Sequence, residues 1–366
     1  MTHTTIPAAH PQLTSTRYRV SFDHTVGHPE AVATANRLNA LKVLARFKQA
    51  RALDIAAALF QDRGFKAALS ATQRTLQRLR ADKHVTRYLS DSRRVFYALT
   101  TKGARVLRDA ASDGSGDGSA QATAHRACEK TNPEHALWSA FAAITCEARG
   151  LRAWTESELK SIVQAADTNG GPRSWPIGYK TDSGESKGLM PDVLAISEND
   201  PDFGAAWIEI DRSVRGSTRL IDLRKLVERI GSPVFIGKDI KQPTLRKVVV
   251  LCKTPTNLRR NRSYLTGSVG DLPRLRLPTN PSVPAIVERE GEPGVFDVYR
   301  ENKDKLPYLA GQLHMQLLPT HLSSYRYTDG PPQGWFDDGS LPYREPDAAW
   351  PEPTGFERWI PLREAP

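Results

Sequence analysis

The stretch GLMPDVLAIS, Gly188 to Ser197, is followed shortly by AAWIEIDRS, Ala205 to Ser213. The first reads as a strand that carries an acid, Asp192, directly after a proline. The second alternates: Trp207, Glu209 and Asp211 fall on one face of a strand and Ile208 and Ile210 on the other, because side chains in a strand alternate with period two. Two acids at i and i+2 lie roughly 6–7 Å apart along the backbone. With Asp192 on a neighbouring strand, the pattern predicts three carboxylates able to converge on one hard cation. Magnesium, or manganese in its place, takes such oxygen ligands while keeping water and substrate phosphate in its shell.

Working outward, GSTRLIDLRKLVERIGS reads as an amphipathic helix with Leu220, Leu223, Leu226, Val227 and Ile230 inward. KVVVLCKT, Lys247 to Thr254, is a short valine-rich run and reads as a buried central strand. Upstream, PEHALWSAFAAITCEARG is a helix that Asn132 caps and Pro133 opens, with Leu137, Phe141 and Ile144 as its apolar stripe. LRAWTESELKSIV continues as a strand from Leu151 and then a helix, on which Glu156 and Glu158 read as exposed helix glutamates by default and as further acid candidates otherwise. Residues 168–188 are rich in Gly, Ser, Pro and Lys and read as a loop. TNLRRNRSYL is basic and reads as a surface turn or a phosphate contact. VPAIVERE and VFDVYRE, separated by GEPG, read as a hairpin.

The order helix, strand, strand, strand, helix, strand, with Pro191-Asp192 on one strand and Glu209-Ile210-Asp211 on the next, resembles the PD-(D/E)XK nuclease superfamily. That resemblance implies a metal site at Asp192, Glu209 and Asp211, and a first helix that can contribute an acid, with Glu134 and the adjacent His135 as its members here. Asp211 stands where the family usually has the lysine that positions the attacking water. Lys225, on the following helix, is the replacement the resemblance suggests; Arg212 and Arg215 are nearer but guanidinium does not deprotonate.

The first third of the chain has another pattern. NRLNALKVLARFKQ from Asn36 places Leu38, Leu41, Val43, Leu44 and Phe47 at helical spacing; ALDIAAALF follows as a short helix, and LSATQRTLQRLRADKHV as a third that Ser70 or Thr72 caps. VTRYLS and RVFYALT are short strands, and TTKGARVL starts another helix. This order resembles the winged helix-turn-helix, and YALTTKGARVL resembles the wing exit of bacterial members, where LT-x-x-G closes the second strand. The resemblance places the third helix in the DNA major groove. Arg74, Gln77 and Arg78 are the base-edge residues, since arginine and glutamine pair bidentately with guanine and adenine. Arg80 shares the polar face, and Arg87, Arg93 and Arg94 on the wing face phosphates.

The chain has 366 residues and a formal net charge of +10, which favours a polyanionic partner. No apolar run approaches the roughly 20 residues that span a bilayer, and MTHTTIPAAHPQ is no secretory signal, so nucleic acid is preferred to a membrane. Cys128, Cys146 and Cys252 are odd in number and far apart, against a disulfide framework or zinc site and in keeping with a reducing, cytoplasmic setting. The domains read as a flexible arm over 1–33, a winged helix-turn-helix over 34–110, a Gly/Ser/Asp linker over 111–132, a nuclease-like αβββαβ domain over 133–318, and a Pro/aromatic tail over 319–366 with Trp335, Trp350 and Trp359 as anchors. The fold class is α/β in its second domain and α+β overall.

Taken together, the winged helix, the linker and the sequence His135 to Leu137, Pro191-Asp192, Glu209 to Arg212 resemble the replication-relaxation family of bacterial mobile elements. That resemblance implies a DNA-binding role in replication, mobilisation or defence of a plasmid or integrative element. Double-stranded DNA is the expected partner, with mobilisation or replication proteins beside it. A homodimer is expected where paired half-sites are read. Two activities stay open: a magnesium-dependent endonuclease, and a non-enzymatic regulator or accessory factor with a degenerate nuclease fold.

Overall fold

Pro29 opens the first helix, where its missing N–H costs nothing. The computed structural model describes residues 28–60, 65–90, 95–111, 122–124, 133–148, 151–166, 175–181, 183–197, 204–211, 216–237, 242–266, 284–290, 294–302, 304 and 306–317. The first helix, α1 (Pro29–Phe47), starts ahead of Asn36 because the His28 side chain accepts the Glu30 N–H. It leads through Lys48, at φ 64°, into β1 (Gln49–Ala50). Then come α2 (Ala52–Leu59), α3 (Phe65–Ala81), β2 (Val85–Leu89), β3 (Val95–Leu99) and α4 (Thr101–Ala110). The three strands form one antiparallel sheet in the order β1-β3-β2.

The LT-x-x-G signature has a local cause. Thr100 caps α4 by accepting the Gly103 N–H, while its hydroxyl reaches the carbonyls of Lys83 and His84. Gly103 is needed because a Cβ there would lie 2.1 Å from the His84 carbonyl oxygen. The cap expected for α3 is not used. The helix starts at Phe65, ahead of Ser70, and Thr72 is buried inside it, its hydroxyl donating to the Ala68 carbonyl.

The larger part begins with α5 (Pro133–Ala148), β4 (Leu151–Thr155) and α6 (Glu156–Ala166). Residues 177–189 form a hairpin rather than a loop: β5 (Ile177–Lys180) pairs with β6 (Ser186–Leu189). Next are β7 (Val193–Ser197), β8 (Ala205–Asp211), α7 (Ser217–Val227), β9 (Leu245–Cys252) and α8 (Pro255–Thr266). Last come β10 (Ala285–Glu288), β11 (Val295–Glu301) and β12 (Pro307–Leu317). Seven strands make one mixed sheet in the order β10-β11-β12-β9-β8-β7-β4. β8 and β9 are parallel across α7, the crossover the strand-helix-strand order requires. β10 and β11 pair as the hairpin read from the sequence. The chain is thus an α+β protein. The linker at 112–121 and 125–132, the arm at 1–27 and the tail beyond 317 lie outside the described residues.

Period-two alternation on β8 separates two cores. Ala206, Ile208 and Ile210 face α5, and their apolar cluster continues without a break into Leu41, Leu44, Ile55 and Leu76 of the first three helices. Ala205 and Trp207 face the other side, with Leu223 and Leu226 of α7 and Leu313 of β12. α5 is therefore covered on both sides, by the large sheet and by α2. Each fully buried aliphatic or aromatic side chain contributes about 1.5–3 kcal/mol, so the shared cluster holds the two parts as one body.

Candidate functional site: an exposed basic helix and a histidine–aspartate edge

α3 is amphipathic as expected. Leu76 and Leu79 are buried, while Arg74, Gln77, Arg78 and Arg80 are exposed. Among the described residues, Arg78 makes one loose ion pair, 3.4 Å from Asp82, and its side chain is 68 % exposed. Arg87 is exposed on β2. The β2–β3 pair carries Tyr88 stacked on Phe96 at 5.6 Å between centroids. Arg93 and Arg94 lie outside the described residues. Burial pushes the His84 imidazole below its ordinary range, and nearby Lys102 and Arg37 add to this against Asp82.

This surface is fixed to the rest of the protein by a buried arginine. Arg46, near the end of α1, donates to Glu147 of α5 at 2.7 and 2.8 Å, to Glu158 of α6 at 2.7 Å, and to the Ala153 carbonyl of β4. Burial alone would lower its pKa, but the two carboxylates outweigh that and hold the guanidinium above its ordinary range. Glu158 also accepts the Thr155 N–H and hydroxyl at the start of α6. It is therefore half-buried and fully engaged, not the solvated helix glutamate its sequence context suggests. A second tie joins Gln49 of β1 to the Pro133 carbonyl at the first residue of α5.

β7 runs antiparallel to β8, with Val193 opposite Ile208, and Asp211 pairs with Cys252 of parallel β9. The start of β7 and the ends of β8 and β9 therefore share one edge of the sheet. Asp192 does not lie inside a strand. Gly188 to Ser197 is split into β6 and β7, with Pro191 and Asp192 in the bend between them. Asp192 Oδ2 accepts the Ile210 N–H at 2.7 Å, and Oδ1 meets His135 Nε2 at 2.9 Å. The carboxylate thus lies between the edge of β8 and the first turn of α5. Its side chain is 15 % exposed and that of His135 is 38 % exposed. Glu134 is half-buried in the same turn.

The remaining acids have separate tasks. Glu209 Oε1 accepts the indole N–H of Trp207 at 2.8 Å on the α7 face. Asp211 is buried and accepts from Asn261 of α8 at 2.6 Å. Lys225 does not reach back to the acids; its ammonium pairs with Glu228 at 3.0 Å, less than one turn along. Among the described residues, no three His, Cys, Asp or Glu side chains gather closely enough to hold a metal. His135 and Asp192 are brought together, and Asp192, Glu209 and Asp211 are not. Strand alternation places acids on a face, but here a proline bend, an indole and a buried asparagine redirect them. On the hairpin, Lys187 and Tyr179 both bond Asp222 of α7. The Asp222 hydrogen bond raises Lys187, while burial, helped by Asp222, raises Tyr179. Sequence reading missed this tie, Arg46 and Asn261, since each depends on a partner far along the chain.

These features define a mixed α+β protein with a basic helical face packed, through a shared apolar cluster, against a seven-stranded mixed sheet. Residues 41–226 match the replication-relaxation family, and the chain belongs to that family. Membership associates it with replication or relaxation. Neither the curated proteins nor the solved structures give a match to this chain. Among the described residues, no helix is long and apolar enough to cross a membrane.

Proposed function

We propose that this protein is a double-stranded DNA-binding factor of a bacterial plasmid or integrative element, acting in its replication, relaxation or mobilisation. α3 is the reading helix of a winged helix-turn-helix, with Arg74, Gln77 and Arg78 toward base edges and Arg80 and Arg87 toward phosphates. The observation that carries this reading is the α3 face itself: four polar side chains, three of them arginines, stand exposed over a leucine pair that is fully buried. An exposed guanidinium fork mounted on a packed helix is the geometry that bidentate guanine recognition needs. Replication or mobilisation proteins are the protein partners this role calls for, and a homodimer suits paired half-sites.

A second reading, a metal-dependent nuclease, is favoured by one observation: Asp192 is held at the strand edge by a backbone N–H and by His135. The described donors do not fit the three-carboxylate magnesium or manganese site that this reading implies. Both oxygens of Asp192 already have partners and Asp211 is buried beneath α8. The accessory role therefore stands ahead of cleavage. Supercoiled plasmid and short duplexes, incubated with the protein in magnesium and then manganese, separate the two. Binding without cleavage is the expected result. Cleavage that is lost in both Asp192→Ala and Glu209→Ala, with binding kept, would establish the nuclease instead.

A further inference from the structure

Lys253 and α8 lie beyond the residues matched by the family, and the basic stretch read from the sequence as a surface turn or a phosphate contact is a helix. From Pro255 to Thr266 the chain carries Arg259, Arg260 and Arg262 and no acid. One side of this helix is fixed inward: Asn257, Asn261 and Leu265 are buried, and Asn261 is tied to Asp211. That rotation leaves Lys253, Arg259 and Arg260 exposed. Arg262 is neutralised by an ion pair with Glu288 of β10. Among the described residues, the other three cations form no ion pair. The result is an exposed set of three positive charges with no acid paired to them among the described residues.

Its place in the fold gives it an occupant. Lys253 follows β9 directly and its N–H donates to the Asp211 carbonyl, so it stands on the edge shared with Asp192 and His135. α8 packs with the α7 side of the sheet, whereas α3 belongs to the α5 side. Between the two, the Gln49 to Pro133 bond brings the small winged sheet against the start of α5, two residues from His135. We infer that Lys253, Arg259 and Arg260 form a second contact to the DNA phosphate backbone. A duplex gripped by α3 and the wing then continues over the strand ends, past His135 and Asp192, and onto α8. This rests on the DNA-binding reading of α3 and adds to it an extended footprint that crosses the sheet edge.

The test uses the full chain, two fluorescent duplexes and a salt titration. One duplex has about 12 base pairs, roughly 40 Å, and the other about 36, at 3.4 Å per step. The triple variant Lys253→Gln, Arg259→Gln, Arg260→Gln keeps helix propensity, and circular dichroism checks that it folds. On the long duplex the slope of log K against log salt is expected to fall by about 2.7, or about 0.9 for each phosphate no longer neutralised. On the short duplex, held by α3 alone, the slope is unchanged. An unaltered slope on the long duplex, with parent and variant both binding it, would overturn the α8 contact and leave α3 standing. A parent protein that binds neither duplex would overturn both.

Discussion

Arg46 offers the sharpest test of the claim that the N-terminal helices and the large sheet form one body. Its guanidinium makes charge-assisted bonds to two carboxylates and a carbonyl on three different elements. The side chain is 8 % exposed, Glu158 is 10 % exposed and Glu147 29 % exposed. Arg46→Ala leaves Glu158 and Glu147 close together without their cation, and removing one partner of a buried ion pair costs about 3–5 kcal/mol. For a chain of 366 residues, an unfolding entropy of about 2.1 cal/mol/K per residue means that each kcal/mol lowers the midpoint by about 1.3 °C, so thermal unfolding is expected to shift down by about 4–7 °C. Arg46→Lys keeps the charge but cannot fork between two carboxylates, and is expected to fall between parent and alanine. Glu147→Gln, at the more solvated end, is expected to cost least. Calorimetry should show one transition for the parent. A midpoint moved by less than about 2 °C in Arg46→Ala, or a parent that unfolds in two independent steps, would refute the shared core.

Three further outcomes follow from single contacts. Gly103→Ala sets a methyl against the His84 carbonyl, 2.1 Å from an ideal Cβ, and is expected to destabilise by about 1–3 kcal/mol in urea unfolding; an unchanged midpoint would contradict the close packing of α4 on that turn. Asp211→Ala strips the buried Asn261 amide of its carboxylate and is expected to cost about 1–3 kcal/mol while DNA affinity holds; abolished binding at full stability would return Asp211 to the functional site. His84 is a base whose folded pKa is lowered, so the unfolded chain binds more protons below its ordinary value of about 6.5. Its contribution is complete above that pH and is lost as pH falls from there through the folded value. His84→Gln is expected to flatten the dependence of melting temperature on pH below about 6.5, and identical profiles for parent and variant would refute the assignment.

Much of this fold is legible from local pattern. The alternation in AAWIEID marks β8, the leucine spacing marks α1 and α7, and GEPG between two alternating runs marks the β10–β11 hairpin. LT-x-x-G could be read because a cap and a close backbone approach need those residue types at that spacing. What escaped the sequence depends on distant partners. β12 inserts between β9 and β11, and nothing in PYLAGQLHMQL says that it pairs in parallel with a strand some sixty positions earlier. The β5–β6 hairpin hides in a Gly- and Lys-rich segment, held down by Asp222. At the candidate site, the acids were visible and their directions were not. Period two put Glu209 and Asp211 on one face, but Pro191 turned Asp192 into the edge of β8 and an asparagine on α8 claimed Asp211. His135 gained its place because α5 crosses that edge with its first turn.

The central claim is that the exposed face of α3 grips duplex DNA. The most direct measurement is fluorescence anisotropy of a labelled duplex with the parent and with an Arg74→Ala, Arg78→Ala variant whose unfolding midpoint matches the parent. Each bidentate base contact is worth about 1–3 kcal/mol, so binding at least about tenfold weaker is expected in the variant, with less discrimination between duplex sequences. Equal affinity and equal selectivity for parent and variant would contradict the claim.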